Sequence, residues 1–238
     1  MSASRDQRVA IITGASQGIG AGLVAAYREQ GWAVVASART IKPAKDPAVL
    51  GVEGDIREPA TADRIVGEAL GQFGRIDTLV NDAGVYLSKP FTDYTQDEYD
   101  TVVGVNLTGL FMLTQRVVRD MLTRSAGHIV NVAATIAERP IAAVPAVLVA
   151  LTKGGVASAT RSLAIEYAHR GIRVNAVSPG IIQTALHSPE SYASSAAIVP
   201  LGRVGQISDV VQGVLFLESS PYITGEILHI DGGQVAGH

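Results

Sequence analysis

Short β-branched apolar runs alternate with longer segments of mixed polarity along the whole chain, and this alternation predicts the fold. The runs Val9–Thr13, Ala33–Ser37, Val49–Gly54, Thr78–Asn81, Ile129–Ala133, Ile172–Val177 and Glu226–Ile230 read as strands. Most are apolar at consecutive positions rather than at every second one, the pattern of strands covered by helices on both faces of a parallel sheet. Helix-length segments lie between them, among them Gly18–Gln30, Ala60–Leu70, Gln96–Leu122, Val147–His169 and Ser208–Glu218. Such alternation implies βαβ units, right-handed crossovers and an α/β fold: a Rossmann-like, doubly wound parallel sheet of seven strands. The connection TIKPAKDPAV between the second and third strands carries two prolines and is too short for a crossover helix. No repeat, low-complexity tract or linker interrupts the pattern, so residues 1–238 are expected to form one domain.

The turn after the first strand is the first stretch with a chemical reading. TGASQGIG, Thr13 to Gly20, leaves a strand and opens a helix. Gly14 permits the tight turn, while Gly18 and Gly20 let backbone and phosphate approach closely. The helix start then points free N–H groups and a partial positive charge at a pyrophosphate. Gly14, Ser16, Gln17, Gly18, Ile19 and Gly20 are therefore expected to hold a dinucleotide, although a plain strand-to-helix turn would look similar. At the end of the second strand an acidic residue would bind the ribose 2′-hydroxyl of NAD. The chain reads VVASART there, with Ala38 in that place and Arg39 next to it. A guanidinium without a carboxylate suits a 2′-phosphate, so NADP(H) is preferred over NAD(H). A solvated arginine at a strand end is the plainer alternative.

Composition narrows the partners. The formal charge is −3, and Lys and Arg are scattered, which gives no electrostatic reason to expect nucleic acid or an anionic membrane. No apolar stretch reaches about 18 uncharged residues, and the N-terminus MSASRDQRVAII has no signal-peptide core. The chain has no cysteine, which excludes disulfides and thiolate zinc sites, and no metal site is expected. A cytoplasmic protein acting on a small molecule is the default expectation.

With the glycine turn in place, further stretches fall into register: GDI (Gly54–Ile56), NDAG (Asn81–Gly84), VNLTG (Val105–Gly109), LTKGGV, RVNAVSPG (Arg173–Gly180), ITGEIL and DGG (Asp231–Gly233). In this order, and over essentially the full length, the chain resembles the short-chain dehydrogenase/reductase family. The resemblance implies that Asp55 and Ile56 hold the adenine, and that Asn81, Ala83 and Gly84 line the middle of the cofactor. It further implies that Asn106 distorts its helix to support a proton-relay water, and that Lys153 grips the nicotinamide ribose. Pro179, Gly180, Ile182 and Thr184 would wrap the carboxamide, and a lid at about residues 184–200 would cover the substrate. Members usually pair through two long helices and tetramerise through the C-terminal strand region, so a homo-oligomer, dimer or tetramer, is expected.

The family pattern breaks at three places. Its acid/base tyrosine stands four residues before the lysine, one turn along the same helix face, where the ammonium depresses the phenol's pKa. Here that position is Val149. The partner serine should follow the fifth strand, where NVAATI offers Ala133 and Ala134, with Thr135 the nearby hydroxyl. The usual second asparagine of the NDAG stretch is Asp82. Thr135, Glu138, His187 and Tyr192 are the candidate replacement acids; each could equally be a strand cap, a solvated side chain or an exposed lid residue. The substrate pocket is expected to be lined by Tyr86, Ile136, Glu138 and Leu148 together with His187 and Tyr192 of the lid. Lys153, in an apolar stretch, needs a partner because an unpaired buried ammonium is costly. Ribose hydroxyls would supply one, unless the side chain snorkels to water. Two functions follow: an NADP(H)-dependent oxidoreductase with altered proton chemistry, or a non-catalytic NADP-binding relative acting as sensor or partner subunit. Hydration or elimination in the same cleft is a third, weaker option.

Overall fold

The computed structural model describes residues 7–184 and 195–237. Seven strands form one sheet: β1 (Val9–Thr13), β2 (Ala33–Ala38), β3 (Val49–Glu53), β4 (Thr78–Asn81), β5 (Gly127–Val132), β6 (Ile172–Pro179) and β7 (Ile227–Ile230). All are parallel, in the order β3-β2-β1-β4-β5-β6-β7, so the chain winds outward twice from β1. The connecting helices are α1 (Gly18–Glu29), α2 (Pro59–Phe73), α3 (Gln96–Val103), α4 (Leu110–Arg124), α5 (Val147–Tyr167) and α6 (Ile207–Ser219). As its prolines imply, residues 39–48 between β2 and β3 contain no helix.

The consecutive apolar residues of the strands are explained by two cores, one on each face of the sheet. Val9 and Ile11 of β1 enter one, with Leu79, Leu113 and Met121; Ala10 and Ile12 enter the other, with Leu23, Val34 and Leu217. Alternate side chains point to opposite faces, so both sets are apolar. Each fully buried large aliphatic side chain contributes about 1.5–3 kcal/mol.

The predicted single helix Gln96–Leu122 is broken. It starts with a capping box, in which the Glu98 N–H donates to Thr95 Oγ1 at 3.3 Å and the Thr95 N–H donates to Glu98 Oε2 at 2.8 Å. After α3 the ladder widens into a π-helical turn, Gly104–Gly109, before α4 resumes. Gly109 packs against Ile56, where a Cβ would come within 2.8 Å of the Ile56 carbonyl oxygen. By length and composition alone the run Gln96–Arg124 could cross a membrane. Here Val102, Leu113, Val117 and Met121 are buried in the protein. The remaining differences from the predicted bounds go both ways: β5 begins at Gly127, β6 runs on to Pro179 and α2 to Phe73, while β3 stops at Glu53, β5 at Val132, α1 at Glu29 and α5 at Tyr167, and β7 starts at Ile227.

Candidate functional site

The carboxyl ends of the strands open into a cleft of about 870 Å³ running across the point where the chain reverses direction, between β1 and β4. This is where doubly wound sheets bind ligands. At its centre is the turn after β1. Gly14 has φ +68°, and a Cβ there would lie 3.0 Å from the Ala83 nitrogen; a Cβ on Gly20 would lie 2.5 Å from the Gly14 carbonyl oxygen. The turn therefore closes only with glycine at both places. Helix α1 starts on it with no side-chain cap from Gln17 and no acidic residue in its first turn. A helix start without a cap from its own N-cap residue, lined by Ser16, Gln17, Gly18 and Ile19, is a cradle for a pyrophosphate.

One end of the cleft is lined by Ala38, Arg39, Thr40, Asp55 and Ile56. Arg57 binds the Asp55 carboxylate at 2.7 Å and holds its pKa below the usual range. At the other end Pro179, Gly180, Ile182 and Thr184 line the wall, with Ser195 and Ile198 from the expected lid. Gln234 also reaches the cleft, its Oε1 accepting from the Ile181 N–H at 3.3 Å. Sequence reasoning missed this residue, whose only signal was its position after the DGG stretch.

Lys153, on α5, is buried and lines the cleft; its Nζ donates to the Val132 carbonyl oxygen at 2.6 Å. Burial lowers its pKa to about 8, against the pull of Asp82. Asp82 is only part-exposed and also lines the cleft. Burial raises its pKa to about 7, opposed by Lys153 and by the Gly20 N–H. Both groups thus titrate near neutrality on the cleft floor. One turn before Lys153, Val149 presents an isopropyl group to the cleft. Ala133, Ala134, Ile136, Ile141 and Val144 complete an aliphatic wall there. Thr135 is buried on the same wall, its hydroxyl donating to the Ser178 carbonyl at 3.2 Å. Tyr86 lines the cleft too; burial raises its pKa, and a hydrogen bond with Ser88 partly offsets the rise.

Several expected site residues stand elsewhere. Asn81 is buried behind the cleft, its Nδ2 donating to Thr114 Oγ1 at 3.0 Å and Asn131 Oδ1 at 2.9 Å, so it ties β4 to β5 and α4 rather than lining the cofactor groove. Successive strand residues point to opposite faces, and its neighbour Asp82 takes the cleft side. Asn106 lies on the π turn, as a distorted helix requires. Its amide clamps the loop after β4, accepting from the Val85 N–H at 2.8 Å and donating to Val85 O and Thr152 Oγ1 at 3.1 Å each. Glu138 is not among the cleft-lining residues: its carboxylate pairs with His229 Nε2 at 3.0 Å and accepts from Ser178 Oγ at 3.3 Å. Leu148 is likewise buried outside the lining, because it is Val149 that faces inward. His187 and Tyr192 lie outside the described residues.

A doubly wound sheet with a glycine turn and a lysine-floored cleft defines a nucleotide-binding oxidoreductase scaffold. Residues 14–234 match the family described as enoyl-(acyl carrier protein) reductase. The 3-oxoacyl-[acyl-carrier-protein] reductase FabG of Thermotoga maritima is 36% identical over 249 aligned residues, covering 96% of this chain and 98% of that protein. The 3-ketoacyl-(acyl-carrier-protein) reductase of Brucella melitensis, solved with NADH, superposes with a TM-score of 0.89 at 33% identity, over 98% of this chain and all of that one. ElxO with NADP bound has a TM-score of 0.90 at 27% identity, over 97% and 100%. The chain belongs to the short-chain dehydrogenase/reductase family of oxidoreductases.

The start of α1 without a cap from Gln17, the glycines that admit no Cβ and the ammonium of Lys153 fit a nicotinamide dinucleotide. When bound, it supplies or accepts a hydride. Lys153 would hold the ribose beside it, Arg39 and Ile56 the adenosine end, and the Pro179–Thr184 wall the carboxamide.

Proposed function

We propose that the protein is a cytoplasmic NADP(H)-dependent oxidoreductase for a small carbonyl, alcohol or imine compound, with a proton relay in which no tyrosine of a YxxxK motif takes part. The observation that carries this reading is Val149: the glycine turn and Lys153 line a cleft that fits the cofactor, yet the side chain one turn before Lys153 cannot carry a proton. Arg39 beside Ala38 favours a 2′-phosphate over a bare ribose. With its pKa near 8, Lys153 is mostly protonated at neutral pH and lines the cleft with a proton to give. Water from the cleft could pass one through it. A substrate already protonated, such as an iminium, would need no acid. The aliphatic wall suits the apolar part of such a substrate.

The second reading, a non-catalytic NADP-binding relative acting as sensor or partner subunit, is favoured by the same wall. Ala133, Ala134 and Val149 leave no free hydroxyl where the family keeps its serine and tyrosine. Exposed Phe111, Leu151 and Ile165 on α4 and α5 support assembly as a homodimer or tetramer.

The deciding experiment follows NADPH oxidation against ketones, imines, quinones and 3-oxoacyl compounds, beside NADPH binding by fluorescence quenching. Turnover that survives Tyr86→Phe and Thr135→Val but is lost with Lys153→Met supports the lysine relay. Binding without turnover across the panel supports the sensor, and absence of binding to either NADPH or NADH rejects both.

A further inference from the structure

We propose, building on the NADP(H) reading above, that Asp82 couples cofactor binding to the uptake of a proton: the fraction of its carboxyl that is ionised in the free protein becomes protonated once a pyrophosphate rests on the glycine turn above it.

The geometry is specific to this carboxyl. Its Oδ2 lies directly behind the turn: a Cβ on Gly20 would come 2.8 Å from it and one on Gly14 3.0 Å. The carboxyl accepts the Gly20 N–H, one of the amides with which the start of α1 would otherwise greet a phosphate. An ionised Asp82 and a bound pyrophosphate would therefore share one helix start, with only glycine backbone between two like charges. Like charges so close favour protonation of the weaker acid.

The surrounding groups leave the carboxyl free to respond. Lys153 on α5 is the charged group that acts on it, and that ammonium is anchored to the Val132 carbonyl. From β1 the Thr13 hydroxyl meets the Asp82 backbone N–H, at 3.0 Å, and not its carboxyl. Asn106 on the π turn is neutral and engaged with Val85 and Thr152. Burial already holds the carboxyl near neutrality, at about 7, so a nearby anion carries it across. Once protonated, Asp82 still accepts the Gly20 N–H through its carbonyl oxygen, and the net charge of the Asp82–Lys153 pair rises to match the incoming anion. An asparagine would fill the same space without this response.

The test is calorimetric titration of the full chain with NADPH between pH 6 and 8.5, in buffers of differing ionisation enthalpy, for wild type and Asp82→Asn. Comparing the two proteins cancels proton exchange by the cofactor's own phosphate. The wild type should take up a fraction of a proton on binding near pH 7, rising toward a whole one at about pH 8, and its Kd should weaken by up to about tenfold per pH unit above pH 7. Asp82→Asn should bind several-fold tighter at pH 8, bind equally at pH 6 and take up far less at pH 7. Lys153 loses its proton as pH rises in both, and at lower pH in the variant, which lacks the pull of Asp82, so the proton uptake near pH 7 is the discriminating readout. Equal uptake and equal pH profiles in the two proteins would overturn the proposal, as would a wild type that takes up no proton, a result readable even if the variant does not fold. Absence of binding at every pH would instead overturn the cofactor reading beneath it.

Discussion

Val149 and Lys153 face the same cleft one helical turn apart, an isopropyl group beside an ammonium. Both are buried, at 2% and 8% exposure, so Val149 is held against the site and is no surface substitution. The pair places a proton reservoir and an inert group where a positioned acid would be expected.

Replacing Val149 with tyrosine should therefore create ketone reductase activity, with kcat/KM rising on the order of 10²-fold, the lower end of what a positioned general acid supplies. NADPH oxidation with a ketone panel is the measurement. An unchanged rate in a folded, NADPH-binding Val149→Tyr protein, followed by a gain only on adding Ala134→Ser, would show that the loop after β5 is also rebuilt.

Arg39 is expected to discriminate between the two nicotinamide cofactors. Arg39→Ala should raise the Kd for NADPH roughly tenfold to a hundredfold, the range of one charge-assisted hydrogen bond to phosphate, and leave that for NADH within about twofold. Equal weakening for both cofactors would mean that Arg39 stacks on the adenine and does not read the 2′-phosphate.

At the opposite, amino end of the sheet a buried polar cluster should govern acid stability. Glu218 Oε2 accepts from Tyr27 Oη at 3.1 Å, Thr78 Oγ1 at 2.9 Å and His128 Nδ1 at 2.9 Å. Asn175 Nδ2 lies 3.1 Å from His128 Nε2 as its donor, so the imidazole is neutral with its proton on Nδ1. Burial lowers the His128 pKa, more than Glu218 raises it. Burial would raise Glu218, but the bonds from His128, Thr78 and Tyr27 outweigh it and leave that pKa below the usual value. Both shifts have one sign. Below about pH 6.5 the unfolded chain binds a proton that folded His128 refuses, and below about 4.5 the same holds for Glu218, so both contributions are lost as pH falls. Asp82 titrates oppositely over part of this range, so the quantity to measure is the difference in urea-unfolding free energy between wild type and His128→Asn. It should shrink from pH 7 to pH 5. Glu218→Ala, which strands three donors near Arg173, should destabilise by about 3–5 kcal/mol.

The exposed apolar residues of α4 and α5 give the assembly prediction. Phe111 on α4 is 65% exposed and Ile165 on α5 81%. Ile165→Arg with Phe111→Glu should lower the mass seen by light scattering to that of the monomer, while the circular dichroism spectrum stays the same. A wild type that is already monomeric at micromolar concentration would defeat it.

How much of this was legible in the chain depended on the range of the interaction. Consecutive apolar residues such as Val9–Ile12 announced a strand covered on both faces, and Thr13–Gly20 announced the turn, because period and glycine chemistry are local. The prolines at 43 and 47 marked a helix-free connection for the same reason. Side-chain destinations were less accessible. Asn81 and Asp82 are adjacent, yet one ties β4 to β5 and the other enters the cleft. Glu138 was expected at the substrate and instead meets His229, 91 positions away, because β7 comes in parallel beside β6.

The sequence by itself determined the strand set, the doubly wound order of elements, the cofactor-side turn, and Lys153 with Val149 before it. Only the tertiary structure decided that Asp82 lies against the back of the glycine turn beside Lys153, and that His128 reaches Glu218 across 90 residues. Both pairings bring together groups from separate strands and helices. Their burial, and therefore their charge, is set by the packing of the sheet and not by any neighbour along the chain.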